Sequence, residues 1–128
     1  MNYVDYSRHM DNIDAVAALA ALAQPTRLEV FRQLVRCEPE GLPAGEIARR
    51  LEVPHNTMST HLAILERAGL VASRRHSRSI VYRVDLTRVR TLVVYLLKDC
   101  CGGNAKLCAP LLEDLTPCCQ PALGAAHA

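Results

Sequence analysis

The chain has 128 residues and a net charge of +2, and half of its residues are apolar although only 4% are aromatic. This length and composition suit one domain whose core is packed by Leu, Val, Ile and Ala, and they argue against wholesale disorder. The sequence has no run of 18 apolar residues, and its amino-terminal stretch is polar and mixed in charge, so it predicts no membrane partner and no signal peptide, and we expect a cytoplasmic protein.

Apolar residues recur at helical spacing in two segments near the amino terminus. The first segment begins at residue 12, and the second begins at Pro25, a residue suited to the first position of a helix. The recurring positions are Ile13, Val16, Leu19, Ala20 and Ala23 in the first segment and Leu28, Phe31, Leu34 and Val35 in the second. The sequence therefore predicts two consecutive helices.

A break rich in turn formers, residues 38–43, precedes two further predicted helices. The first of them is short and covers 44–51. The second covers 56–69 after a tight turn, with Gly69 as its C-cap. Its inward-facing residues are Met58, Leu62 and Leu65.

The periodicity changes after residue 69. Two short runs with β-branched residues, 70–76 and 79–85, are joined around "HSR" and predict a β-hairpin. Helical periodicity returns over 86–99, a strongly apolar segment. Residues 109–128 contain three prolines and many small residues, so we expect a mostly irregular tail there.

The predicted order is therefore α-α-α-α-β-β-α, with two helices joined by a tight turn and followed directly by a basic hairpin. This order is typical of a winged helix-turn-helix, a mainly α fold with a β-hairpin wing. We divide the chain into an amino-terminal arm at 1–11, the winged-helix domain at 12–99, and a Cys-rich segment with a flexible tail at 100–128.

The modest net charge hides a segregation along the chain. Residues 49–90 carry nine Arg and three acidic residues, a net charge of +6, whereas 1–48 and 91–128 carry −3 and −1. A concentrated field of arginines indicates a polyanionic partner. The alternative is a solvated basic surface without a partner.

Small polar residues are concentrated at the start of the helix predicted at 56–69. In a helix-turn-helix, this end of the second helix meets base edges in the major groove of double-stranded DNA. The candidate DNA-binding residues here are His55, Asn56, Thr57, Ser59, Thr60 and His61. The alternative is an ordinary polar helix end with Asn56 as the N-cap.

Arginines supply the second part of the predicted interface. Arg74, Arg75 and Arg78 lie at the hairpin tip, where a wing meets the minor groove or the flanking phosphates. Arg49 and Arg50 are placed to contact the DNA backbone from the helix at 44–51. If about six arginines meet phosphates in each half-site, DNA binding weakens steeply with salt.

Three stretches of the chain resemble the ArsR/SmtB family of metal-sensing repressors. They are "LAALAQPTRLEVFRQLV", "GLPAGEIARRLEVPHNTMSTHLAILERAGLV" and the end of the wing, "YRV", and the resemblance spans about residues 15–98. It implies a homodimer formed through the first and last helices, which binds a palindromic operator and leaves it when an inducer binds. It implies no enzyme, and we assign no catalytic residues.

The ArsR/SmtB family, which the chain resembles, builds its inducer sites at several positions. Pro43 and Gly45 stand where one kind of arsenic sensor has its Cys-Val-Cys motif, and the last helix has no His for a zinc or nickel site. What remains is Cys100, Cys101 and Cys108, which resembles a branch of arsenic sensors with a Cys-Cys pair after the last helix. The resemblance implies As(III) as the inducer and no organic cofactor.

The chemistry of these thiols suits that inducer. Trivalent arsenic is soft and prefers thiolates, three of which complete its coordination, and its close analogues are antimony, Sb(III), and methylarsenite. Adjacent residues of a helix point about 100° apart, but Gly102 and Gly103 allow the chain to fold back and bring Cys108 to the pair.

Other uses of the cysteines stay open. Zn, Cd or Pb would take a fourth ligand from Cys118, Cys119 or His127, and a disulfide from Cys108 to one of the adjacent pair would make a redox sensor. Cys118 and Cys119 are either a second thiol site or incidental residues of a tail.

Two further possibilities are less favoured by the sequence. Cys37 ends a predicted helix, where a lone cysteine usually serves packing. A thiol enzyme such as an arsenate reductase is disfavoured because the chain has neither a Cys-x-x-Cys motif nor a glycine-rich anion loop. A metal chaperone would not need the basic wing.

Overall fold

The structure, a computed structural model, describes residues 10–97, 109–110 and 113–114. These residues fall into two compact units, one ending at Tyr95 and the other beginning at Leu96. Within 10–97 the elements are α1 (Asn12–Leu22), α2 (Pro25–Arg36), β1 (Leu42–Pro43), α3 (Ala44–Leu51), α4 (His55–Arg67), β2 (Val71–His76), β3 (Ser79–Val84) and α5 (Leu86–Leu97). No helix in the described part is long and apolar enough to cross a membrane.

Helix α1 begins at a capping box and buries its smallest residues. The Asp11 carboxylate accepts a hydrogen bond from the backbone N–H of Asp14 (2.8 Å), and the Asp14 carboxylate accepts one from the N–H of Asp11 (3.4 Å). The face turned to the core is Ala15, Ala18 and Ala21. The larger residues of the predicted apolar repeat are exposed instead: Ile13 by 78%, Val16 by 60% and Leu19 by 43%.

Helix α2 begins at Pro25, as predicted, and the Gln24 side chain caps it by accepting from the N–H of Arg27 (2.8 Å). The helix buries Val30 and Leu34. Leu28 and Val35, which the apolar repeat also included, lie on the exposed side.

The break predicted at 38–43 contains a short strand that the sequence did not reveal. Residues 42–43 form β1 and pair with β3, opposite Tyr82 and Val81, so the antiparallel sheet has the order β1-β3-β2. Gly41 precedes this strand with φ +78°, and a Cβ there would lie 2.5 Å from the Tyr82 carbonyl oxygen. The chain reaches β3 because glycine has no Cβ.

The helix-turn-helix consists of α3 and α4. Helix α3 ends at Glu52 in the left-handed region (φ 54°), and Pro54 rather than Asn56 is the N-cap of α4. Met58, Leu62 and Leu65 of α4 are buried, as predicted. Gly69 (φ +84°) ends the helix: its N–H donates to Glu66 O, and the next N–H donates to Leu65 O.

The predicted hairpin is confirmed, because β2 and β3 pair along their whole length around a turn at Ser77. Helix α5 follows at once, with the Asp85 carboxylate accepting from the N–H of Arg88 (3.1 Å). It buries Leu92 and leaves Val93 and Val94 exposed. The element order is therefore that of a winged helix-turn-helix, with β1 added to the predicted hairpin.

Candidate nucleic-acid interface

The first turns of α4 present a polar surface to solvent. The exposed residues are His55, Asn56, Thr57, Ser59 and Thr60, and Met58 among them is buried. The Thr60 hydroxyl donates to the Asn56 carbonyl oxygen (3.3 Å), and its oxygen keeps its capacity to accept a hydrogen bond. Donors and acceptors of this kind suit base edges and phosphate oxygens.

His61 lies deeper than the other candidates on α4. It is half-buried, and its Nδ1 lies 3.4 Å from Nη1 of Arg27, whose Nε donates to the Ala21 carbonyl oxygen (2.6 Å). Burial and then the Arg27 charge lower the pKa of His61. The lowered pKa favours the neutral ring, whose Nδ1 accepts when the Arg27 guanidinium donates, and His61 lies where α1, α2 and α4 meet. A DNA contact from His61 stays a prediction.

The two arginines of α3 share one carboxylate. Arg49 donates to both oxygens of Glu46 (3.0 and 2.5 Å), and Arg50 Nε donates to Oε2 (2.8 Å). The hydrogen bonds from Arg49, and then the one from Arg50, lower the pKa of Glu46 to about 2. Both arginines are exposed, but Glu46 offsets part of their charge.

The arginines of the wing lie in a different environment. Arg74, Arg75 and Arg78 are exposed, and none of them forms an ion pair with any residue in the described ranges. Alternation along β2 places Arg74 and Arg75 on opposite faces of the hairpin. The tip thus carries three positive charges that no described carboxylate neutralises.

Two contacts at the base of the wing were not predicted from the sequence. Arg83 forms an ion pair with Glu38 (Nη2–Oε1 2.7 Å), and the Ser73 hydroxyl donates to Glu66 Oε2 (2.8 Å). Burial, and then the Glu66 charge, raises the pKa of Tyr82 beside them. Arg83 and Glu38 are 45 residues apart, so no local pattern could have revealed that pair, whereas the spacing of Glu46 from Arg49 and Arg50 is one at which helix ion pairs form.

The predicted inducer-binding residues lie outside the described part of the chain. They are Cys100, Cys101 and Cys108, with Cys118 and Cys119 as the lower-ranked pair. Among the described residues no group of three or more His, Cys, Asp or Glu side chains is placed to hold a metal ion. Cys37 is half-buried at the end of α2, with Nη1 of Arg50 at 3.7 Å from its Sγ.

Comparisons with known proteins identify the family to which the chain belongs. A family model described as a helix-turn-helix domain matches residues 22–74. The chain is 34% identical to the transcriptional activator HlyU of Vibrio cholerae over 90 residues, which are 70% of this chain and 81% of that protein. The chain belongs to the ArsR/SmtB family of transcriptional regulators.

Solved structures agree with the fold of an ArsR/SmtB regulator. An ArsR-like transcriptional regulator from Rhodococcus sp. RHA1 superposes with a TM-score of 0.64 at 28% identity, covering 76% of this chain and 89% of that one. The homodimeric winged helix-turn-helix DNA-binding domain of a Mycobacterium bovis protein gives 0.53 at 27% identity, covering 67% and 80%. The protein is therefore a DNA-binding transcriptional regulator and not an enzyme.

Proposed function

We propose that this regulator is a repressor that binds operator DNA as a homodimer in the cytoplasm and leaves it when trivalent arsenic binds. The observation that carries the DNA-binding part is the wing tip, where Arg74, Arg75 and Arg78 have no carboxylate partner in the described structure. The observation that carries the arsenic part is the position of three thiols soon after α5.

Exposed apolar residues on α1 and α5 support the homodimer. Ile13 and Val16 on α1 and Val93 and Val94 on α5 are exposed, although water is a poor environment for them. The Tyr95 hydroxyl donates to Asn12 Oδ1 (2.8 Å), which joins the two helices. A second copy that covers both helices buries these residues in an isologous interface, as a twofold dimer requires. The homodimeric Mycobacterium bovis domain supports the same assembly.

In the proposed complex, each protomer reads one half-site. The polar start of α4 enters the major groove, where Asn56, Thr57 and Ser59 meet base edges. The wing places its arginines on the minor groove or the flanking phosphates. A twofold dimer sets the two α4 helices about one turn of DNA apart, so the operator is palindromic.

The proposed inducer is held by the sulfur atoms of Cys100, Cys101 and Cys108. Three thiolates complete the coordination of As(III), and Gly102 and Gly103 give the chain the freedom to bring them together. The site follows the helix that we place in the dimer interface, so ligation alters the spacing of the two α4 helices. The coupling is reciprocal: DNA weakens arsenite binding by the factor by which arsenite weakens DNA binding.

The decisive experiment is the release of operator DNA by arsenite, followed by fluorescence anisotropy. Arsenite releases the wild-type protein, and Cys100→Ser, Cys101→Ser and Cys108→Ser each raise the arsenite concentration needed. Cys37→Ser is the matched control and releases DNA like the wild type. If arsenite releases operator DNA from all three cysteine variants as it does from the wild type, the arsenic assignment is wrong.

The same assay separates arsenic from the other ligands of thiol sites. Zn²⁺, Cd²⁺ and hydrogen peroxide are titrated in parallel with arsenite and antimonite. Release by Zn²⁺ or Cd²⁺ alone identifies a four-ligand metal site, in which Cys118→Ser or Cys119→Ser also impairs release. Release by peroxide that dithiothreitol reverses identifies a redox sensor. HlyU is named an activator, so transcription from the operator in vitro tests whether this protein represses.

A further inference from the structure

Besides the β1–β3 pairing, a carboxylate on each face attaches the wing to the rest of the domain. Alternation along the hairpin places Ser73 and Tyr82 on one face and Arg83 on the other. Glu66 of α4 contacts the first face, and Glu38, from the loop between α2 and β1, contacts the second. The tip, which carries Arg78, extends beyond both contacts.

Glu38 is the more heavily engaged of the two carboxylates. It accepts from Nη2 (2.7 Å) and Nε (3.4 Å) of Arg83 and from the backbone N–H of Val84 (3.2 Å). Strand β1 has only two residues and stops short of Val84, so the Glu38 carboxylate occupies the place of a strand partner for that N–H. Glu38 is only 15% exposed, which favours a persistent contact.

The Glu38 contact spans a side of the wing that is otherwise open. A groove of about 500 Å³ lies between the wing and the 38–40 loop, lined in part by Pro39, Arg74 and Thr87. Close packing does not fill this groove, so hydrogen bonds to Glu38 add to the β1–β3 pairing in holding the base of the hairpin there.

Glu66 makes the corresponding contact from α4. The Ser73 hydroxyl donates to its Oε2 (2.8 Å), beside the half-buried Tyr82 ring. Glu66 lies in the last turn of α4, at the opposite end from the polar residues that are predicted to read bases. The contact therefore links the orientation of α4 directly to that of the wing.

We propose that Glu38 and Glu66 are positioning residues for DNA binding: they fix the wing relative to α4 so that both engage one half-site together. This inference rests on the proposed DNA-binding function. Once α4 has bound DNA, the wing binds in an intramolecular step. The probability of that step depends on how closely the position of the wing relative to α4 is restricted. A wing held at the right angle loses little freedom on binding, whereas a released wing loses more.

The sign of the effect distinguishes positioning from electrostatics. Glu38 and Glu66 are negative charges near a polyanion, so simple electrostatics predicts that removing them strengthens DNA binding. Positioning predicts that it weakens binding to the specific site. Non-specific binding, which depends on charge and not on register, stays the same or strengthens.

The test compares variants on a duplex that the wild-type protein selects from a random-sequence library and on a duplex lacking that site. Glu38→Ala/Glu66→Ala lowers affinity for the selected duplex about tenfold and does not lower affinity for the other. Ser73→Ala weakens specific binding without changing charge. Glu66→Gln retains an oxygen that accepts from Ser73 and keeps wild-type affinity. Glu40→Ala is the matched control, because it removes a charge from the same loop without removing a hydrogen bond to the wing.

A double-mutant cycle locates the effect in the wing. In the wild-type background, Arg78→Gln weakens binding to the selected duplex. In the Glu38→Ala/Glu66→Ala background the same substitution weakens binding less, because the wing is already out of position. The proposal is overturned if the doubly substituted protein binds the selected duplex as tightly as the wild type, or if Arg78→Gln costs the same in both backgrounds. Wild-type protein that selects no duplex overturns the proposed function together with this inference. Thermal unfolding of each variant checks the fold, and Ser73→Ala and Glu66→Gln decide the question if the double variant is unstable.

Discussion

Helix α3 and the wing tip carry the same kind of charge in different settings. On α3, Arg49 and Arg50 share the Glu46 carboxylate in three hydrogen bonds. On the wing, Arg74 and Arg78 make no ion pair with any described residue. The count of arginines in the sequence therefore overstates the positive charge that α3 offers to a polyanion, but not the positive charge that the wing tip offers.

The arginines of the basic segment, residues 49–90, fall into two groups that differ in whether a carboxylate contacts them. Of the nine arginines in 49–90, four are bound to carboxylates: Arg49, Arg50, Arg83 and Arg88. The contacts of Arg49 and Arg50 lie within α3, whereas those of Arg83 and Arg88 attach the wing base and α5 to their neighbours. The arginines of the tip are held in place by the hairpin alone, so their charge stays available for phosphates.

The largest effect is expected from neutralising the wing tip. Arg74→Gln/Arg75→Gln/Arg78→Gln removes three phosphate contacts from each half-site and lowers operator affinity at physiological salt about 100-fold or more. Fluorescence anisotropy with a labelled operator measures the loss. Arg32→Gln, an exposed arginine of α2 outside the basic segment, is the control. An equal loss in the control would mean that the wing has no special role.

A smaller loss is expected on α3. Arg49→Gln/Arg50→Gln lowers operator affinity about fivefold, because Glu46 already offsets part of the charge that is removed. The same anisotropy assay compares this variant with the wing variant. A loss on α3 that matches the loss on the wing contradicts the proposed difference between the two regions.

Releasing the α3 arginines should have the opposite sign. Glu46→Gln removes the competing carboxylate and raises operator affinity about threefold at low salt, with a gain that shrinks as salt rises. Binding isotherms at several salt concentrations measure this gain. Weaker binding by the variant would instead mean that Glu46 orients Arg49 and Arg50 for the DNA.

The smallest effect concerns the stability of the domain at acid pH. The Glu46 pKa is lowered from 4.5 to about 2 by Arg49 and then Arg50, so its contribution to stability is complete above about pH 4.5 and is lost as pH falls toward 2. The difference in urea midpoint between wild type and Glu46→Gln is therefore constant above pH 5 and disappears near pH 2. If the difference in urea midpoint stays constant down to pH 2, the ion pair of Glu46 with Arg49 and Arg50 does not persist in solution.

Local signals in the sequence were enough to predict most elements of the fold. Pro25 marks the start of α2 because its ring fixes the φ of a first helical residue, and Gly69 marks the end of α4 because glycine tolerates the positive φ found there. The buried face of α4 follows from its helical periodicity. The change to β-branched residues predicted the wing.

Features that depend on tertiary contacts could not be predicted in this way. Helix α1 is apolar on every side, so periodicity alone could not show that Ala18 is buried and Ile13 exposed. Strand β1 has two residues and exists because β3 passes beside it. The Glu38–Arg83 pair joins residues 45 positions apart. The predicted DNA-binding residues are on the surface, but which of them touch DNA depends on a partner that the sequence does not contain.

The most direct test of the proposed DNA binding is the salt dependence of operator binding by the wild type and by Arg74→Gln/Arg75→Gln/Arg78→Gln. The logarithm of the binding constant is plotted against the logarithm of the salt concentration. With about six phosphate contacts in each half-site, the wild-type dimer gives a slope of about −10, and the wing variant gives about half of it. A wild-type slope near zero, or the same slope for both proteins, would contradict the claim that the free arginines of the wing hold the operator.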